Sequence, residues 1–279
     1  MRGYGRKNIS PRCTLKIDLQ KAFDSVNWCF LLLVLKALKF PEIFRNWIEA
    51  CITSHYFSIS LNGSLVGYFK GAKGVRQGDP LSPFLFVIAM EVLSRLLEIA
   101  ARQGIFKFHP KCSKVKLTHL IFADDLLIFV KGSMDFIVGV RCLLDGFYFI
   151  YGLQLNVSKS DFFFARISNE EVSHIFNITG CKSGTLPVHY LGVPLVFRRL
   201  SCVDCKPLVE MLVAKILQWS PLHLSYIGRL QLIKAVLFSV QAYWCIDSSY
   251  SQRSLFNRWT NCALGLYVKV VTLLLLVLE

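Results

Sequence analysis

Hydrophobic and polar positions switch repeatedly between a two-residue and a helical period along this chain, and the switches divide it into short strands and longer helices. Cys13 to Leu19 reads as a strand ending in an acid, Asp18, and Gln20 to Asp24 as the turn that follows. Leu-rich Ser25 to Lys39 predicts a helix that Pro41 ends, because proline drives the residue before it out of helical conformation. A second helix is expected from Pro41 to Ser54, with Pro and the early Glu42 where helix N-termini favour them. Phe57 to Leu61 alternates, Asn62-Gly63 is a strong hairpin turn, and Leu65 to Lys70 returns as the partner strand. Gly74 to Pro83 is a glycine-punctuated loop opening a long helix. Ser82 is its expected cap, Pro83 its first helical residue and Gln103-Gly104 its end.

Further on, Thr118 to Val130 is apolar and β-favouring on both sides of Ala123-Asp124-Asp125, which predicts a hairpin with the acidic pair at its tip. Met134 to Tyr151 is a mostly apolar helix stopped by Gly152. Leu153 to Val157 and Asp161 to Ala165 read as extended pieces around Ser158-Lys159-Ser160. Ser168 and Glu171 have the spacing of a capping box and start a short helix to about Ile178. Val188 to Leu195 is extended again, with Gly192 marking a close approach or a bulge. From Lys206 the pattern turns helical: Pro207 to Trp219, Ile227 to Trp244, then Leu255 to about Leu266. That shift predicts a domain boundary near Phe197 to Ser201.

Composition narrows the class. Of 279 residues 54% are hydrophobic and 18% charged, which excludes a disordered tail protein and leaves ample material for a core. Lys plus Arg number 32 against 18 Asp plus Glu, a formal net charge of +14, which points to a polyanion such as nucleic acid ahead of an acidic membrane surface. The ten cysteines lie in apolar segments with no secretory signal before them. They are expected to be reduced, buried core residues of an intracellular protein, nuclear or cytoplasmic and not secreted. Cys202 and Cys205 form a C-x-x-C without a second pair at zinc-like spacing. Val270 to Leu278 is apolar but far short of the ~20 residues that span a bilayer.

The candidate chemistry rests on carboxylates. Strand neighbours could bring Asp18 within a few ångströms of Asp124, giving the oxygen cluster that hard cations such as Mg²⁺ take. Because side chains alternate along a strand, Asp124 and Asp125 should point to different sides, so at most one meets a metal squarely. Ordinary turn chemistry is the other reading of Asp-Asp. The loop before the long helix offers backbone N–H groups to a phosphate or sugar, or is simply a tight helix start.

Together these pieces resemble the palm of a reverse transcriptase of the LINE-type (non-LTR) retrotransposon class, as found in plants. Lys16-Ile17-Asp18-Leu19-Gln20-Lys21-Ala22-Phe23-Asp24 is similar to motif A, Gly74 to Pro83 to motif B, and Phe122-Ala123-Asp124-Asp125 to motif C. Gly152 to Ser160 is similar to motif D and Tyr190 to Leu195 to motif E, all in the family's order. The resemblance implies an α/β (α+β) fold, with a small antiparallel palm sheet backed by helices and followed by an all-helical thumb. In these terms residues 1–12 are a basic remnant of fingers or a tail, 13–198 the palm, 199–267 the thumb-like region and 268–279 an unassigned apolar tail.

The implied activity is RNA-directed DNA polymerisation, with deoxynucleoside triphosphates and an RNA or DNA template-primer as partners and no membrane. Asp18, Asp124 and Asp125 would hold two Mg²⁺ ions, with Asp125 the less direct ligand. Phe23 would lie on the nucleotide sugar and exclude a 2′-hydroxyl, and Gln77 and Gly78 would contact template and nucleotide. Lys159 would give a proton to pyrophosphate, or is a surface loop residue. Arg76, Arg198, Arg199, Lys206, Lys215, Arg229 and Lys234 would meet nucleic-acid backbone. Only a dozen residues precede the motif A segment. The fingers with their triphosphate clamp, and the upstream endonuclease, are therefore expected to be missing, and extension by this chain alone to be very weak or undetectable. A relic that only binds nucleic acid is the alternative from another class. A two-metal nuclease is a third, against which motif B and Phe23 argue.

Overall fold

Five strands meet in one sheet, and the middle one is the strand that carries Asp18. The computed structural model describes residues 10–184, 188–195, 206–219, 225–237 and 239–240. Strand β1 (Arg12–Asp18) lies between β5 (Asp125–Lys131) and β6 (Asp161–Ala165); β4 (His119–Phe122) extends the sheet beyond β5, and β7 (Lys182–Ser183) beyond β6. All pairs are antiparallel except the two-residue β7, which runs parallel to β6. β1 begins at Arg12, one residue before the apolar run predicted it, and Arg12 is fully buried.

Directly opposed residues share a face of an antiparallel pair, so the register sorts the side chains. Leu15 opposite Ile128 and Ile17 opposite Leu126 lie on the face that meets the helices. These are α1 (Trp28–Ala37), α2 (Glu42–Thr53), α3 (Ser82–Arg102) and α4 (Met134–Tyr151). Leu93 and Leu97 of α3, and Val140 and Phe147 of α4, close that core. His119 of β4 is pinned to α3 by Ser94, whose Oγ lies 2.8 Å from its Nε2. The other face carries Lys16, Asp18, Asp125 and Asp161.

Several boundaries differ from the sequence reading for local reasons. α1 starts at Trp28 because the Asn27 side chain accepts from the Phe30 N–H at 3.1 Å, while Ser25 and Val26 stay in the preceding turn. Pro41 is the N-cap of α2 rather than its first turn. Ser82 does not cap α3: the Asp79 carboxylate takes the Leu81 N–H at 2.8 Å, and Ser82 and Pro83 are already helical. Val157 belongs to a single tight turn, Val157–Lys159, not to an extended piece. Cys13 and Cys181 are buried as expected, but Cys29, Cys51 and Cys142 sit on outward helix positions and are exposed, although all are free thiols.

The Asn62-Gly63 hairpin forms as predicted, between β2 (Tyr56–Leu61) and β3 (Ser64–Lys70). It is separate from the central sheet, and every residue of both strands is exposed. The capping box at Ser168 is complete and opens α5 (Asn169–Thr179).

By chain contacts the protein divides into one unit of Tyr4–Leu186 and another of Met1–Gly3 with Pro187–Glu279. In the second, β8 (Val188–Tyr190) and β9 (Val193–Leu195) form a hairpin. Leu191 and Gly192 make its turn at φ 52° and 79°, and nothing lies near a Cβ on Gly192, so that glycine serves the turn and no close approach or bulge. Helices α6 (Lys206–Trp219) and α7 (Tyr226–Leu232) follow, α7 continuing into a π-turn, Ile233–Leu237. The expected boundary at Phe197–Ser201, Arg198, Arg199, the C-x-x-C, the helix Leu255–Leu266 and the tail 268–279 lie outside the described residues. Among the described residues no helix is long and apolar enough to cross a membrane.

Candidate active site

The acidic hairpin is built as its sequence demands. Phe122 and Asp125 close the β4–β5 ladder, leaving Ala123 and Asp124 as a two-residue turn with Ala123 at φ 50°. Asp125, rather than Asp124, is the residue that the β1 ladder sets opposite Asp18. The two carboxylates therefore share a face at adjoining strand ends, and Asp124 stands exposed in the turn beside them. Partial burial pushes the Asp125 carboxyl above the usual carboxylate range. Lys16 on the same face pulls it back, and the negative charges of Asp124 and Asp18 push it up again. Like charges directly opposite each other in a ladder destabilise it, so this strand end is arranged against the interest of the fold.

Asp18 is held by a segment whose role the spacing alone did not reveal. Its Oδ2 accepts from Asn156 Nδ2 at 3.0 Å, and its backbone N–H and C=O bond to Ser160 Oγ and the Asn156 N–H at 3.2 and 2.9 Å. Ser160 is buried and donates in turn to the Asn156 carbonyl at 2.7 Å. The Gln20 N–H reaches the Gln154 carbonyl at 2.8 Å. Residues 154–160 thus clamp the end of β1 and fix where Asp18 points. Two polar residues just past a glycine-stopped helix were the available signal. Lys159 is exposed in the same turn.

The glycine loop before α3 is laced to the turn after Asp18. Gly74 N–H donates to the Val26 carbonyl and Val75 N–H to the Phe23 carbonyl, both at 2.8 Å, and Trp28 Nε1–H donates to the Gly74 carbonyl at 2.6 Å. Gly74 has φ 89°, and a Cβ there would sit 2.7 Å from the Asp24 carbonyl oxygen, so no other residue fits. Phe23 is half-buried with its ring stacked on Phe86 of α3, centroids 4.7 Å apart. Arg76, Gln77 and Gly78 are exposed in the loop, and Gly78, at φ 90°, faces open space.

The structure thus brings Asp18 and Asp125 face to face with Asp124 adjoining, and ties Phe23 to the loop of Gln77 and Gly78. Among the described residues no three His, Cys, Asp or Glu side chains are gathered to hold a metal ion. The register and the mutual repulsion place the aspartates as neighbours without closing them into a cage. In the second unit Lys215 lies half-buried on α6, Lys234 is exposed in the π-turn, Arg229 is on α7, and Lys206 pairs with Glu210 at 3.7 Å.

Residues 2–195 match the family described as Reverse transcriptase (RNA-dependent DNA polymerase). The chain is similar to the Retrovirus-related Pol polyprotein from type-2 retrotransposable element R2DM of Drosophila melanogaster, 34% identical over 161 residues covering 56% of this chain and 14% of that protein. It is also similar to the Retrovirus-related Pol polyprotein from type-1 retrotransposable element R2 of Popillia japonica, 34% identical over 122 residues covering 43% of this chain and 19% of that protein. It therefore spans less than a fifth of the length of either relative. Among solved structures, a telomerase from Candida tropicalis in complex with a TWJ fragment of telomeric RNA aligns with 92% of this chain and 41% of that one, at 14% identity and a TM-score of 0.48.

Proposed function

The chain belongs to the reverse transcriptase (RNA-dependent DNA polymerase) family, in its non-LTR retrotransposon branch, and we propose that it extends a primer 3′-hydroxyl with deoxynucleotides along an RNA or DNA template. Family chemistry of this kind depends on divalent metal. The observation that carries the proposal is the in-register pairing of Asp18 with Asp125, Asp124 adjoining, at a strand end where the repulsion serves no structural purpose. Three carboxylates are the donors that a hard divalent cation takes, and a cation would relieve that repulsion. Asp18, Asp124 and Asp125 would hold two Mg²⁺ ions, which supply positive charge where the phosphoryl group is transferred.

The other roles fall to the chain's own groups. Asn156 and Ser160 keep the Asp18 carboxylate and backbone in place. The Phe23 ring, backed by Phe86, lies against the sugar and leaves no room for a 2′-hydroxyl. Gln77 and Gly78 contact template and nucleotide, and the exposed Lys159 donates a proton to the leaving pyrophosphate. Arg76, Lys215, Arg229 and Lys234, with Arg198 and Arg199, neutralise backbone phosphates without reading bases.

The test is primer extension on an RNA template with Mg²⁺ and deoxynucleotides, comparing the parent chain with Asp124→Asn. Extension by the parent that falls by about 10²-fold or more in the variant, at unchanged fold, is the expected result. Template-primer binding with no extension under any divalent metal would instead identify a nucleic-acid-binding relic.

A further inference from the structure

Lys16 stands two residues before Asp18 on the same face of β1, and the chemistry above gives it no part. The register sets it in a row of alternating charge across the sheet. Lys182 of β7 pairs with Asp161 of β6, Asp161 pairs with Lys16, and Lys16 pairs with Leu127 of β5. The next row toward the strand end is Asp18 opposite Asp125, with Asp124 adjoining. Asp161 therefore has a lysine on each side, whereas of the two lysines only Lys16 borders the row of Asp18 and Asp125. Residues two apart on a strand are separated by about 6.6 Å, which is within the reach of direct charge interaction.

The surroundings strengthen that interaction. Leu127 opposite Lys16 is buried, and so are Thr14 and Phe163, which face each other in the row behind it. Lys16 itself is half-buried, so its charge sits where this face passes from apolar packing to the open acidic end. A charge with an apolar wall on one side acts on its neighbours more strongly than one in bulk water, and an ammonium is tolerated there because carboxylates face it. Its pull is felt at Asp125, whose upward displacement it opposes. Toward a metal it works the other way. An ammonium has no lone pair with which to ligate a cation, and it repels one.

We propose, on the metal reading of Asp18, Asp124 and Asp125 given above, that Lys16 is the resident counter-cation of the aspartate cluster: it offsets the repulsion between Asp18 and Asp125 before a metal enters, and by the same charge it holds their affinity for a divalent cation down. Lys16 is a positioning residue in this role, acting through the aspartates and not on the substrate. One charge thus does two things that oppose each other, stabilising the fold without metal and raising the metal concentration at which the site fills.

The experiment is titration of the full chain with Mn²⁺, a hard divalent ion whose free form is counted by electron paramagnetic resonance, at low ionic strength and without nucleotide or primer. Lys16→Met keeps the length and apolar stem of the side chain and removes its charge, Lys16→Gln is neutral and hydrogen-bonding, and Lys16→Arg keeps the charge. Both neutral variants should bind Mn²⁺ about 5-fold or more tightly than the parent, the effect of removing one charge about 7 Å from a divalent ion, and Lys16→Arg should stay near the parent. Without metal, Lys16→Met should melt below the parent, and saturating Mn²⁺ should close or reverse that gap, because the tighter binder gains more from the ion. A lysine that only packs would lower the midpoint equally at every Mn²⁺ concentration. Affinity unchanged in both neutral variants, or raised as much in Lys16→Arg, would overturn the proposal. Asp124→Asn separates the two readings. If it weakens Mn²⁺ binding while the neutral Lys16 variants change nothing, the metal reading stands and Lys16 alone fails; if it binds like the parent, or if neither binds, the metal reading fails and the proposal falls with it.

Discussion

At Asp125 the needs of the fold and of a carboxylate cluster conflict. It faces Asp18 across the ladder and has Asp124 as chain neighbour, and its carboxyl is displaced upward in consequence. Opposed like charges cost a strand pair on the order of 0.2–1 kcal/mol, so Asp125→Asn is expected to raise the thermal midpoint at neutral pH while reducing extension. Calorimetry showing a lowered midpoint would mean that the carboxylate is already neutralised within the fold. His109 presents a different problem. It is buried, and desolvation with the nearby charges of Arg12 and Lys111 lowers its pKa to about 4. The fold favours the neutral ring, so its contribution to stability is full above about pH 6.5 and is lost as pH falls toward about 4. Asp125, raised rather than lowered, works in the opposite sense, so the comparison must be made against a His109 variant. Denaturant midpoints measured between pH 7 and pH 4 should fall less steeply for His109→Gln than for the parent. Parallel curves would show that His109 is not the group that titrates.

At the scale of elements, the site depends on two clamps. Residues 154–160 hold the end of β1, and the loop at Gly74 is sewn to the turn that follows it. Gly74→Ala should break the second clamp, since a Cβ would meet the Asp24 carbonyl and the backbone would keep a left-handed conformation. The left-handed conformation alone costs about 1–2 kcal/mol. Chemical denaturation should record at least that loss, and Trp28, whose indole bonds to Gly74, should report it in near-ultraviolet circular dichroism. An unshifted denaturation midpoint would mean that the loop can open without consequence for the sheet. The hairpin of β2 and β3 obeys no such clamp over its length and presents Ile59, Leu65 and Tyr68 to solvent.

For the whole molecule the dominant quantity is charge. A net +14 with cations on both units makes association with nucleic acid chiefly a matter of counterion release. Anisotropy titrations with a labelled template-primer are expected to show affinity falling steeply as salt rises through the physiological range, with little dependence on sequence. An affinity indifferent to salt, or one strongly selective for a single sequence, would contradict this.

The local code was sufficient for much of the architecture. Asn62-Gly63, the glycine at 152 and the Ser168–Glu171 pair each carry their own backbone preference, so the hairpin, the helix end and the capping box were readable from neighbours in sequence. The acidic residues were readable too, because a charge in an apolar strand needs a reason. The sequence could not decide which aspartate faces Asp18: a one-residue change of register exchanges Asp124 for Asp125, and only the ladder across 107 residues of chain sets it. Nor could spacing show that Asn156 and Ser160 grip Asp18, or that Asp79 takes the Leu81 N–H in the turn before α3 while Ser82 is already helical. The same holds for a cavity at the root of the β2–β3 hairpin, whose rings and cations come from three separate segments and meet only when the chain is folded. Short-range preferences are fixed by covalent neighbours; long-range contacts are decided by packing, and the site is made of the latter.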